Sequence, residues 1–98
     1  MSLIDQIDTL VAGMDFGKAT AAKRGRNPKW PYVPIVDHAG EAIKQSTEQL
    51  QGFAFETRDE AILFAERTII KRREMLAYHL AQPRYRALRE QYGLPKNI

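Results

Sequence analysis

The residues best suited to chemistry in this chain are cationic. Lys23-Arg24-Gly25-Arg26-Asn27-Pro28-Lys29-Trp30 sets four bases beside a glycine and an aromatic. Arginine forks and lysine ammonium groups neutralise phosphates, and an indole stacks on a base or covers apolar surface. The cluster therefore fits three readings: contact with nucleic acid, contact with an acidic protein surface, or a solvated loop around a core tryptophan. Arg72 and Arg73 widen a second basic zone, in which Arg67, Lys71 and Glu74 support one another at helical spacing. The last segment adds Arg84, Arg86 and Arg89, interleaved with Tyr85 and Tyr92.

Other chemistries lack their parts. The chain has no cysteine, which excludes disulfides, thiolate catalysis and cysteine-based metal sites and is compatible with a reducing cytoplasm. Its two histidines, His38 and His79, stand 41 residues apart, so no histidine-rich metal centre and no cofactor are expected. Gly13 and Gly17 lack the spacing of a phosphate-cradling loop, and neither Ser2 nor Ser46 sits in a nucleophile elbow. Asp59 and Glu60 are adjacent at a helix start, where capping accounts for them. An acid or base role for His38 would need an orienting group and a cleft. These absences argue against an enzyme. No apolar run approaches the roughly 20 residues of a membrane span, and the first residues lack a signal-peptide pattern.

The elements that must position these side chains can be read from periodicity. Leu3, Ile4, Ile7, Leu10, Val11 and Met14 recur at three- and four-residue spacing, which predicts a helix capped by Ser2. Residues 17–31 have no sustained period and hold two glycines and two prolines, so they read as a basic, exposed loop. Tyr32–Asp37 reads as a strand in which Pro34, unable to donate to a ladder, predicts an edge or a bulge. His38–Glu41 is a turn candidate, Ala42–Gln51 a second strand or a strand broken by a loop, and Gly52-Phe53-Ala54-Phe55 a short strand with both aromatics on one face. Thr57 and Glu60 form a capping box. The helix they open presents Ala61, Ile62, Ala65, Ile69, Leu76 and Leu80 on one face and has no breaker before Pro83. Beyond Pro83, Tyr85, Leu88 and Tyr92 share a face, and Gly93-Leu94 resembles a glycine C-cap.

Charge follows the same segmentation. Residues 1–16 carry −3, residues 17–29 carry +5, residues 30–60 carry −4 and residues 61–98 carry +5, which the net +3 conceals. Two basic zones of this kind attract polyanions or acidic protein surfaces.

The order of basic glycine-containing loop, Trp30-led strand, polar strand and Gly52-Phe53-Ala54-Phe55-Glu56-Thr57-Arg58-Asp59-Glu60-Ala61 is similar to the arm-type DNA-binding domains of phage integrases. The resemblance covers residues 23–70. It implies a three-stranded antiparallel sheet packed on one helix that opens with Thr-x-x-Glu-Ala, the sheet face entering the major groove. Pro31 and Pro34 depart from the pattern, and the acids of residues 30–60 would have to face away from the DNA.

The expected fold is α+β in a single domain of residues 1–98: an N-terminal helix, a small antiparallel sheet of two or three strands, a long helix and a short C-terminal helix. The expected function is a small non-enzymatic nucleic-acid-binding or regulatory protein of the cytoplasm. In it Lys23, Arg24, Arg26 and Lys29 hold phosphates, Trp30 stacks or anchors, and Arg72 and Arg73 extend the patch. The alternative is a protein-interaction module that docks an amphipathic helix on a partner or on a second copy.

Overall fold

Capping and breaking residues set the helix boundaries. The computed structural model describes residues 2–40 and 43–95. Helix α1 spans Leu3–Ala12, and the Ser2 hydroxyl accepts the Asp5 amide at 3.2 Å. Three strands follow, β1 (Lys18–Lys23), β2 (Tyr32–Gly40) and β3 (Ile43–Gln49), in the antiparallel order β1-β2-β3. Helix α2 covers Arg58–Ala81, a 3-10 turn Pro83–Tyr85 and helix α3 Arg86–Gln91. The α+β architecture and its element order are those expected.

At the start of α2, the Thr57 hydroxyl accepts the Glu60 amide at 3.2 Å and donates to the Glu60 carboxylate at 2.8 Å. The helix then runs unbroken to Ala81. Gln82 turns extended, and Pro83 takes the first position of the 3-10 turn, where its missing N–H costs nothing. At the end of α3, the Leu94 amide bonds the Arg89 carbonyl and the Gly93 amide bonds the Glu90 carbonyl, with Gly93 at φ +71. This is the six-to-one and five-to-two pattern of a glycine C-cap.

Several expectations for the sheet need correction. Residues 18–23 are not loop but strand β1, every one of them registered against β2, from Lys23↔Tyr32 through Lys18↔Asp37. Alanine and threonine between two lysines carry little strand signal of their own, and the β-rich partner supplies the ladder. Pro34 lies in the central strand rather than at an edge. Its carbonyl accepts the Leu50 amide at 3.0 Å, so its missing N–H faces the side of β3 at a point just past that strand's last residue. His38–Gly40 continues β2 instead of turning, with a register irregularity between those two residues; Glu41 lies outside the described residues. Gly52–Phe55 is not a strand, because only Phe55 pairs, in a single antiparallel bridge to Tyr32.

The chain forms two compact units, residues 16–71 and residues 1–15 with 72–98. In the first, Val36, Leu50 and Ala65 form a buried cluster, with Ala19, Phe64 and Ile69 packed against it. Ala61 and Ala65 are wholly buried, and their small side chains let α2 lie close to the sheet. Strand alternation puts Val33 and Ile35 on the other face of β2, and they too are buried. In the second unit, Ile7, Val11 and Leu80 are buried, whereas Ile4 of the expected α1 stripe is exposed. Arg89, one of the three arginines that the last segment adds, is buried there. Its Nε donates to the Leu80 carbonyl at 2.6 Å and its Nη2 to the Ala81 carbonyl at 3.1 Å, which satisfies orphan carbonyls at the end of α2.

Candidate functional site

Residues 24–31 join β1 to β2, so the ladder brings the two ends of the basic segment together. Past the Lys23↔Tyr32 pair, the Gly25 amide bonds the Pro31 carbonyl at 2.8 Å and the Trp30 amide bonds the Asn27 carbonyl at 3.0 Å. The Asn27 carboxamide oxygen accepts the Lys29 amide at 2.9 Å, a local side-chain-to-backbone bond of the kind that favours asparagine in turns. Gly25 is required for close approach: a Cβ there would collide with the Trp30 carbonyl oxygen and stand 2.9 Å from the Pro31 Cα. The basic segment is thus a strand and a braced turn, not an unstructured loop.

On this turn Lys23, Arg24, Arg26 and Lys29 are all exposed, and none joins an ion pair among the described residues. Trp30 is 42% exposed, so it is not the core tryptophan that one reading of the sequence allowed. The Lys29 ammonium lies 5.3 Å from the centre of its ring, a cation–π contact that keeps a charge beside the indole. The turn can therefore present phosphate-binding cations and a ring edge or face together.

Arg72 and Arg73 are placed differently. They sit on α2 in the other unit, half-buried, and both are already engaged in interactions. On the face of β2 away from α2, Val33 is 5% and Ile35 3% exposed. The acids Asp59 and Glu60 lie in the first turn of α2, where the helix dipole favours negative charge.

Two features were not legible beforehand. His38, expected in an exposed turn, lies in β2 with its Nε2 3.0 Å from Glu48 Oε1 on β3. Its orienting carboxylate comes from a neighbouring strand ten residues away, which local sequence cannot reveal. Phe53 and Phe55, whose spacing put them on one face, both pack on Phe64, at 4.4 and 5.3 Å between ring centres, and Phe53 keeps 49% of its surface open. A shallow depression of about 360 Å³, lined by Gly17, Lys18, Ala19, Glu66, Ile69 and Ile70, has no set of convergent polar groups. Among the described residues no cluster of three or more potential metal ligands occurs, and no helix is long and apolar enough to cross a membrane. No protein-family model, curated protein or solved structure matches the chain.

Proposed function

We propose that this chain is a small non-enzymatic nucleic-acid-binding protein of regulatory type, acting in the cytoplasm. Its binding surface is the β1–β2 turn: Lys23, Arg24, Arg26 and Lys29 neutralise phosphates, and the Trp30 indole meets a base. The observation that carries this reading is the exposure of Trp30 on a braced turn whose four cations have no acidic partner among the described residues. Ordering cost is low because the backbone is already bonded, so phosphate binding is not offset by freezing a loop. Arg72 and Arg73, on α2, are the further bases of this reading, half-buried and already engaged in interactions.

Neutralising four phosphates implies a log–log salt slope of about −3.6 on duplex and about −2.8 on single strands. The test is a titration at several salt concentrations, with a thermal melt of each variant. Arg24→Ala with Arg26→Ala flattens the slope by about 0.7–0.9 for each phosphate no longer neutralised and leaves the melt unchanged, since both side chains are solvated. Absence of wild-type binding to any nucleic acid at low salt would end this reading.

A second reading is favoured by one observation. Leu63 and Ile70 are seven residues apart on one face of α2, and they are 47% and 53% exposed. That face suits a protein-interaction module docking through an amphipathic helix, with a partner protein or a second copy. Such binding responds little to salt, which separates the two readings in the same titration.

A further inference from the structure

The proposed binding surface has an unabsorbed neighbour in Phe53. Segment 50–55 is clamped to β2, because the Leu50 amide bonds the Pro34 carbonyl at 3.0 Å, while Tyr32 and Phe55 exchange amide–carbonyl bonds at 3.1 and 2.7 Å. Trp30 precedes Tyr32 by two residues and Phe53 precedes Phe55 by two, so the two aromatics stand at opposite ends of this antiparallel bridge. Both are held open. Phe53 rests on Phe64 with its rings tilted by 35°, which supports one side and leaves the ring 49% exposed, while the braced turn presents Trp30.

Base faces are available to side chains only where they are not stacked inside a duplex. Aromatic platforms beside cations are the arrangement that binds single strands, because every base offers a π-face. Groove reading by the sheet would instead need an open sheet face, and Val33 and Ile35 are buried on the face of β2 away from α2. We propose that the ligand is a single strand of nucleic acid, its bases stacked on Trp30 and Phe53 and its phosphates on Arg24, Arg26 and Lys29. The inference rests on the nucleic-acid reading above and specifies its substrate class.

Trp30 is the only tryptophan, so its fluorescence reports stacking directly. The experiment titrates the full chain with an oligothymidylate and with a duplex of equal length, reading tryptophan emission and the anisotropy of labelled nucleic acid. The single strand quenches Trp30 and binds at least about ten-fold tighter than the duplex. Phe53→Leu, which keeps apolar bulk on Phe64, lowers single-strand affinity about five- to hundred-fold and leaves duplex affinity unchanged, while Phe53→Tyr retains wild-type binding. A melt of each variant shows whether it is folded, and Phe53→Tyr provides a second folded comparison. Duplex binding as tight as single-strand binding, or wild-type affinity in Phe53→Leu, would overturn the single-strand assignment while leaving the basic turn as a nucleic-acid surface. Binding to neither probe would overturn both.

Discussion

Arg89 is 5% exposed, but its charge is not stranded, because two carbonyls at the end of α2 accept from its guanidinium. The negative end of the helix dipole adds to that stabilisation. Replacing it with an apolar residue removes charge-assisted donors and leaves carbonyls that buried surroundings cannot rehydrate. Arg89→Met is therefore expected to lower unfolding free energy by about 2–4 kcal/mol in denaturant titration. Lysine at this position does not restore it, since one ammonium cannot reproduce the fork. The exposed Arg84→Ala changes stability by no more than about 0.5 kcal/mol. From sequence these two arginines looked alike, each a base in a helical stretch with aromatics nearby. What distinguishes them is the reversal of the chain at Gln82–Pro83, a tertiary event that carries Arg89 back to the carbonyls. The turn bases Lys23, Arg24, Arg26 and Lys29 were legible because their neighbours Gly25, Asn27 and Pro28 are turn formers whatever the surrounding fold.

Element boundaries were legible where a side chain bonds its own backbone. Thr57 and Glu60 signal the start of α2 within four residues, and Pro83 marks its end. Thr57→Ala is expected to cost about 1 kcal/mol. Because the hydroxyl also donates to the Glu60 carboxylate, Thr57→Ala and Glu60→Ala together cost less than the sum of the two alone, measurable as a double-mutant cycle. Strand β1 was not legible for the opposite reason. Lys18-Ala19-Thr20-Ala21-Ala22-Lys23 has neither alternation of apolar and polar residues nor aromatic content, and its ladder is supplied entirely by β2. Pro34 misled in the same way: the rule that confines proline to edges concerns a lost donor, and here that donor would have pointed past the end of β3.

At the level of the whole molecule, net charge is a poor guide to where binding occurs. Residues 16–71 hold nine bases and seven acids, and the remaining residues six bases and five acids, so neither unit is strongly basic. If a general positive field drove association, removing any two arginines would have the same effect. Arg24→Ala with Arg26→Ala and Arg84→Ala with Arg86→Ala each lower the net charge from +3 to +1. The turn pair is expected to flatten the salt slope by about 1.4–1.8, and the Arg84–Arg86 pair to leave it nearly unchanged in the same titration. Strand β1 has a different consequence for the molecule in bulk. It borders the sheet as six short-chained or cationic residues, a lysine at each end. A second copy pairing with it antiparallel, in the centred register, would set Lys18 of one chain against Lys23 of the other at both ends of the ladder. Like charges there penalise that pairing, so the β1 border of the sheet is guarded against edge-to-edge association as concentration rises.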